Sequence, residues 1–334
     1  NGYVGLGPFR SEFYLTPLAN SFRLGSLPWH KQLAIHEYRH VEQYNNFNVG
    51  LSKTFRLLFG EEGQALANGM TIPDWFFEGD AVFNETRVSP QGRGRLPYFY
   101  NGFKALWLAG KHYGWMKLRN GSLRDYTPDH YQLGYLLVAY GYKKYGEDFW
   151  RKVTRDAAAF KGLFYPFQAA IKRHSGKEYK AFRQDAMNYF REQLLPEAPT
   201  IADGMLSIAG GPVKPLPPDT ASISAGNVTD KTYPAFINDS TLIYLKKSYR
   251  SLPAFMISTP SGEKRLRVKD ISLDDHFSYR NKHIVYSAYE PDLRWGWKNY
   301  SVIKTIDIGS APAILLPIIP VILPPILMKR AMRL

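Results

Sequence analysis

The order of hydrophobic and polar residues predicts that the first part of the chain is mainly helical. Short β-type runs such as EFYLT precede residue 28 and indicate one or two strands. From there to about residue 195, helical segments are separated by Gly- and Pro-containing stretches such as GRGRLP, RNGS and YTPD. The predicted helices cover residues 28–44, 50–69, 73–87, 99–113, 129–145, 147–160, 165–174 and 177–194.

The pattern changes after residue 195. Residues 196–230 are rich in Pro, Gly, Ala and Ser, which is the composition of a linker. Residues 231–310 contain short apolar runs with turns between them, which predicts strands at TLIYLKK, PAFMIST, PSGEKRL, HIVYSAY and YSVIKTIDI. The sequence therefore predicts an α+β chain, with a mainly helical domain at residues 1–195 and an all-β part behind a linker.

The all-β part contains an internal repeat. The segments FINDSTLIYL and SYRNKHIVYS each carry an apolar pair and a tyrosine, and Tyr244 and Tyr286 lie 42 residues apart. A repeat of that length is typical of one blade of a β-propeller. Because a propeller needs at least about four blades, we expect residues 231–310 to be a partial propeller of two blades in a chain cut at its C-terminus. The start at Asn1 likewise looks like a cut.

The tail at residues 311–334 is strongly apolar. Residues 311–328 form a run of 18 apolar residues, long enough to raise the question of a transmembrane helix. Five prolines interrupt this run, and each interior proline costs a helix about 3 kcal/mol. A membrane span is therefore the weaker interpretation, and a frame-shifted end is the preferred one.

Composition narrows the chemistry that the chain can support. The 334 residues include no cysteine, so a metal would have to be held by histidine and carboxylate. The formal charge of +14 would attract anionic partners. The basic residues are scattered among acidic ones, however, and no basic-aromatic motif is present, so no nucleic-acid partner is expected.

One short motif indicates metal-dependent hydrolysis. In HEYRH, His36 and His40 stand four residues apart, so on a helix they lie on one face and can both bind one ion. Glu37 follows the first histidine, where it can reach a water at that ion without being a ligand. The alternative is a pair of ordinary surface or core histidines. The motif alone does not decide between the two.

The candidate for a third ligand lies in the segment IPDWFFEGDAVFNE, residues 72–85. Pro73 and Asp74 favour a helix start. On that helix Glu78 and Glu85 share a face, so Glu78 can bind the metal while Glu85 holds a ligand histidine by its other ring nitrogen. Asp80 is a weaker candidate for orienting the loop or the helix start. Outside this segment, Arg93 and Arg95 could bind a substrate carboxylate, although a basic loop tip is the commoner explanation.

Together these segments resemble the gluzincin class of zinc metallopeptidases, especially the peptidase MA-like families. The resemblance is specific over residues 30–87 and looser elsewhere. The matching residues are His36, Glu37, His40, Glu78, Gly79, Ala81 and Glu85. Residues 129–146 are similar to the helix behind the active site in those families, and the β repeats are similar to the TolB-like propellers often fused to them. Arg39 departs from the pattern, because the family usually has an uncharged residue there; it either points outward or pairs with an acid.

The resemblance implies a zincin-type domain with one Zn²⁺ per chain, held by His36, His40 and Glu78, that hydrolyses peptide bonds in a peptide or protein substrate. Glu37 would be the general base and Glu85 the support of a ligand histidine. Tyr131 would stabilise the oxyanion, with Tyr135 and His130 as weaker choices. The family also implies a bacterial, exported protein, periplasmic or at the cell surface. The alternative is an inactive peptidase-like scaffold whose propeller binds a protein or an envelope component.

Overall fold

The computed structural model describes residues 2–14, 27–162, 164–195, 228–272, 274–295, 299–309 and 314–315. By their internal contacts the residues form two units, one made of residues 1–122 and 126–217 and the other of residues 123–125 and 218–334. Residues 196–227, most of the predicted linker, and 316–334, most of the apolar tail, lie outside the described ranges.

Helices make up most of the first unit. They follow a hairpin of two short antiparallel strands, β1 (Gly2–Gly5) and β2 (Arg10–Phe13). The helices are α1 (Trp29–Asn46), α2 (Gly50–Thr71), α3 (Asp74–Val88), α4 (Pro97–Leu108), α5 (Trp115–Asn120), α6 (His130–Tyr145), α7 (Phe149–Ala158), α8 (Pro166–Ser175) and α9 (Tyr179–Leu194). A 3₁₀ turn at Arg93–Arg95 joins α3 to α4.

The helices agree with the predicted segments, apart from the region 99–113. There α4 ends at Leu108, and a separate short helix, α5, begins at Trp115. Gly110 lies between them with φ +61°, a left-handed conformation that favours glycine and ends a helix. The predicted helix 99–113 ran through this glycine, so its end was placed too far along the chain.

Local signals explain where the two most important helices begin. Pro73 precedes α3, and Asp74 places an acid in its first turn, where it meets the positive end of the helix dipole. At the start of α6, the backbone N–H of Gln132 donates a hydrogen bond of 3.0 Å to the side chain of Asp129, a regular N-cap. The start of α3 was predicted from Pro73 and Asp74, and the helix at α6 was predicted as residues 129–145.

The core of the first unit forms around α3 and α6. These two helices approach so closely that a Cβ added to Gly79 would lie 2.1 Å from the backbone of Gly134. Large side chains of α3, α7, α8 and α9, including Trp75, Trp150 and Phe182, fill the space beside this contact. The close approach brings the start of α6 up to the helix that carries Glu78.

The second unit contains two antiparallel sheets of four strands. The first sheet is ordered β3 (Thr229–Asn238), β4 (Thr241–Ser248), β5 (Ser251–Thr259), β6 (Gly262–Val268). The second runs β7 (Phe277–Arg280), β8 (His283–Pro291), β9 (Asn299–Asp307), β10 (Ile314–Leu315). One core cluster joins the two sheets through residues such as Ile243, Phe255 and Ile306.

The repeated tyrosines lie on corresponding strands but on different faces, because Tyr286 belongs to the core cluster between the sheets and Tyr244 to a separate cluster. Tyr244 lies on β4 and Tyr286 on β8, the second strand of each sheet. The α+β class predicted from the sequence is therefore confirmed, while within the described residues neither sheet closes into a barrel or a propeller. No helix in the described ranges is long and apolar enough to cross a bilayer.

Candidate metal centre

Three predicted ligands converge between α1 and α3. His36 and His40 lie one turn apart on α1, and their Nε2 atoms are 3.3 Å apart. Oε2 of Glu78 on α3 lies 3.1 Å from Nε2 of His36 and 3.6 Å from Nε2 of His40. Among the described residues, this is the group of three whose ligand atoms come close enough to hold one metal ion.

The spacing of these atoms suits a small divalent cation. Zinc binds nitrogen and oxygen ligands at about 2.0–2.1 Å in tetrahedral geometry, which places neighbouring ligand atoms about 3.3 Å apart. The three observed separations of 3.1, 3.3 and 3.6 Å fall around that value. Three protein ligands also leave a tetrahedral position for a water or a substrate.

Electrostatics at the site favour a positive charge between the ligands. Burial would lower the pKa of His36, but its hydrogen bonds with Glu78 and Glu85 outweigh burial and raise it. Burial would raise the pKa of Glu78, but the two histidines outweigh it and lower this pKa well below its usual range. Glu78 is therefore ionised, as a metal ligand must be.

The ring of His36 is fixed from behind by Glu85. Nδ1 of His36 donates to Oε1 of Glu85 at 2.6 Å. The carboxylate of Glu85 also accepts hydrogen bonds from Nε2 of Gln32 at 2.8 Å and from Nε of Arg93 at 3.1 Å. Burial would raise the pKa of Glu85, but Arg93 and His36 lower it to about 2. The structure thus places Glu85 behind His36, at the ring nitrogen that faces away from Glu78.

The ring of His40 is fixed by a different chain of residues. Nδ1 of His40 lies 2.8 Å from Oε1 of Gln43. Nε2 of Gln43 donates to Oδ2 of Asp80 at 2.8 Å and to the carbonyl of Phe77 at 3.0 Å. Because the amide of Gln43 is oriented by these two acceptors, its oxygen must accept from His40. Nε2 is then the free nitrogen on both histidines, facing Glu78.

Arg39, the charged residue inside the motif, forms ion pairs with Asp80 and Glu42. Its guanidinium donates to both carboxylate oxygens of Asp80, at 2.8 and 3.2 Å, and to Glu42 at 2.6 Å. Asp80 is buried, and an unpaired buried carboxylate would destabilise the fold. The ion pair with Arg39 offsets that cost. Asp80 therefore contributes to orienting His40, a larger role than the helix start assigned to it from the sequence.

Glu37 lies beside the three ligands and has a free oxygen. Its side chain is 4% exposed and lines the same groove as the ligands. Oε2 of Glu37 is buried and, among the described residues, has no hydrogen-bond partner. Burial raises the pKa of Glu37 above its ordinary value, against the lowering effect of the two histidines. These are the properties of a carboxylate placed to exchange a proton.

The predicted tyrosine reaches the groove. Tyr131 on α6 lines it, with its ring centroid 6.1 Å from that of His36 and the guanidinium of Arg93 5.1 Å from its ring. Burial and the charge of Glu78 raise the pKa of Tyr131 far above its usual range, so it remains a hydrogen-bond donor. His130 also lines the groove. Tyr135 does not, because it packs between Phe99 and Tyr100.

The groove around these residues has a volume of about 420 Å³. Its walls include Tyr3 of β1 and Tyr44 of α1. Asn68 of α2 also lines it, and both polar atoms of this 1% exposed side chain are without a hydrogen-bond partner in the described structure. A buried amide with two open hydrogen-bonding positions is suited to a polar ligand in the groove.

The sequence missed several residues that support the ligands. Gln32 and Gln43 were not singled out, although their spacing of four and three residues from the histidines places them on the same helix face. Arg93 was weighed as a substrate-binding residue, whereas the structure pairs it with Glu85. Arg95 donates to the carbonyl of Thr86, so it supports the turn.

Comparison of the chain with family models, with curated proteins and with solved structures found no match. The activity of the site must therefore be inferred from its own residues. Those residues bring together a possible cation site, a carboxylate with a free oxygen and a phenolic donor around one groove.

Proposed function

We propose that the protein is a zinc metallopeptidase of the gluzincin type. The observation that carries the proposal is the buried Oε2 of Glu37, which has no hydrogen-bond partner among the described residues and lies beside His36, His40 and Glu78. Two histidines and one glutamate are the ligand set of many catalytic zinc sites, and catalysis requires the position that such a set leaves open. One zinc ion per chain is the cofactor in this proposal.

The chemistry follows from the placement of the side chains. When bound, zinc would polarise the scissile carbonyl and lower the pKa of a water. Glu37 accepts the proton of the attacking water and passes it to the leaving amine; burial raises its pKa above the ordinary value, which favours accepting this proton. Tyr131, kept protonated by its environment, donates a hydrogen bond to the developing oxyanion.

The proposal extends to the substrate and to the second unit. The substrate class in this proposal is a peptide or protein, which is what the gluzincin resemblance implies. The two four-stranded antiparallel sheets, each with its tyrosine on the second strand, support the proposal of propeller blades that bind or gate the substrate. A bacterial origin and export, to the periplasm or the cell surface, come into the proposal only through the gluzincin resemblance.

The test combines metal content with hydrolysis. We expect about one zinc per chain in the wild type and in Glu37→Gln, and loss of zinc in Glu78→Ala. Against an unfolded casein substrate, Glu37→Gln should lower kcat by about 10²- to 10⁴-fold, because it removes the general base. Glu192→Gln, at an exposed glutamate of α9, is the matched control and should change neither quantity.

The outcomes separate the proposal from its alternative. Absence of zinc in the folded wild type after reconstitution would overturn it. Zinc bound without hydrolysis of any peptide library would favour the inactive scaffold, and the search for a binding partner would move to the β sheets. Equal hydrolysis by Glu37→Gln and the wild type would remove Glu37 from the mechanism.

A further inference from the structure

A second cavity lies in the helical unit, among α4, α5, α6 and α9. Its volume is about 410 Å³, and it shares no lining residue with the groove at the metal centre. Its apolar lining includes Phe103, Trp107, Leu118, Leu133, Leu137 and Met187. A concave, mainly apolar space of this size is typical of sites for small ligands.

The polar part of this cavity is basic. The cationic side chains that line it are Lys111, Lys180, Arg183 and Arg191, and none of the described lining residues is acidic. Lys180, Arg183 and Arg191 lie on one face of α9, because the intervals between them are three and eight residues. Within the described structure none of the four forms an ion pair. The cavity therefore offers unpaired positive charge beside an apolar surface.

Arg183 is the cation of this cavity that packs against aromatic rings. Its guanidinium lies 4.1 Å from the ring centroid of Trp115 and 4.6 Å from that of Tyr179. Its one protein hydrogen bond within the described residues is a long one of 3.4 Å to the carbonyl of Tyr179. A guanidinium held against aromatic rings keeps its planar edge for hydrogen bonds, and a carboxylate matches two donors of that edge.

We propose that this cavity binds a small amphipathic carboxylate, with its apolar body against the aromatic and aliphatic lining and its carboxylate paired with Arg183. The apolar lining supplies burial, and the cations select the sign of the head group. The limited volume restricts the ligand to one ring system or a medium-length acyl chain. This site does not depend on the proposed peptidase activity.

Decanoate is a suitable probe, measured by calorimetric titration of the full chain. We expect saturable binding of one decanoate per chain and weaker binding of the uncharged decanol. Arg183→Met should weaken decanoate binding about 10- to 100-fold, because a hydrogen bond to a charged group contributes about 1.5–3 kcal/mol. The decanoate affinity of Arg183→Lys should lie between those of the wild type and Arg183→Met, since lysine keeps the charge but lacks the planar edge.

Three controls make the result decisive. Arg151→Met, at an exposed arginine of α7 outside the cavity, should bind decanoate like the wild type. Glu78→Ala should also bind it normally, because the metal centre is a separate site. If Arg183→Met does not fold, the double variant Lys111→Met, Lys180→Met changes only exposed lysines and should weaken binding at least about threefold.

Several outcomes would overturn the proposal. One is the absence of saturable decanoate binding to the folded wild type. A second is equal affinity in the wild type and in every folded variant of the cavity. A third is an equal loss in Arg151→Met, which would show a general charge effect, and a fourth is loss in Glu78→Ala, which would place the ligand at the metal centre.

Discussion

The two predicted ligand histidines of α1 are held by acceptors of different strength. His36 donates to a carboxylate, Glu85, whereas His40 donates to an amide, Gln43. A carboxylate makes the imidazole a stronger ligand, while an amide mainly fixes its orientation. Behind Gln43, Asp80 and Arg39 complete the chain of hydrogen bonds. The charge of Arg39 inside the motif is thus part of the support of His40 and leaves the ligand face free.

This difference leads to a prediction for Gln43. Gln43→Ala should weaken zinc affinity about tenfold, because it frees the ring of His40. Glu85→Ala should have a larger effect, toward about 100-fold, since it also removes the charge behind His36. Competition with a chromophoric chelator measures both constants. Gln193→Ala, at an exposed glutamine of α9, is the control and should bind zinc like the wild type. Unchanged affinity in Gln43→Ala would show that Asp80 and Arg39 do not act through this amide.

At the scale of elements, a glycine contact sets the distance between α3 and α6. A Cβ on Gly134 would lie 1.9 Å from the carbonyl oxygen of Trp75 and 2.9 Å from Cα of Gly79. The glycine that follows Glu78 in sequence is thus needed for helix packing. Through this packing, Tyr131 at the start of α6 reaches the groove beside His36.

Substitution at this contact should therefore be destabilising. We expect Gly134→Ala to lower the free energy of unfolding by about 1–3 kcal/mol, because the two backbones must move apart. Gly69→Ala is the matched control: it lies within α2, and nothing lies within 4 Å of an added Cβ. That change should raise stability by up to about 1 kcal/mol. Urea denaturation measures both, and equal effects of the two substitutions would contradict the packing argument.

Another prediction concerns pH and the corner between α7 and α8. Asp156 accepts from Lys161, His174 and Arg173, at 2.8, 3.0 and 2.5 Å. Burial alone would raise the pKa of Asp156, but these hydrogen bonds outweigh it and lower the pKa to about 2. The pKa of an aspartate carboxyl is about 3.9 in an unfolded chain, and that of Asp156 is lower in the folded protein. The ionised carboxyl therefore stabilises the folded state above about pH 4. That stabilisation is lost as the pH falls toward about 2.

Asp156→Asn should show this dependence directly. At pH 5 the substitution should cost about 1 kcal/mol, a value reduced by solvent screening of the exposed partners. Near pH 2 the same substitution should cost much less, since the carboxyl is then about half protonated in the folded state and most of its stabilisation is lost. Denaturant titrations at the two pH values measure the difference. An equal cost at both would mean that the ion pairs of Asp156 do not contribute to stability.

The elements themselves were largely predictable from the sequence, because their signals are local. Helical spacing on α1 brought His36 and His40 together, and the Pro-Asp start placed Glu78 correctly on α3. The position of Arg93 was not predictable in this way. It lies on a turn whose path depends on Gly94, where a Cβ would lie 2.4 Å from the ring of Tyr135. Such a contact joins residues far apart in the chain and leaves no periodic pattern.

At the scale of the whole molecule, each unit has a core of its own. Phe182 is fully buried in the core of the helical unit, and Phe255 in the core between the two sheets. The composition of residues 196–230 is that of a linker. Separate cores connected by such a segment are expected to unfold as separate cooperative units.

Calorimetry of the full chain should therefore show two unfolding transitions. Phe182→Ala should lower the temperature of one transition and Phe255→Ala that of the other. Each substitution should reduce the unfolding free energy of its own unit by about 3–5 kcal/mol. The exposed residues Phe164 and Phe236 provide matched alanine controls, which should move neither transition. Zinc should raise only the transition that Phe182→Ala lowers, because a ligand stabilises the unit that binds it. A single transition shifted by both core substitutions would show that the two units unfold together. If zinc raised only the transition that Phe255→Ala lowers, the metal would not be bound between α1 and α3.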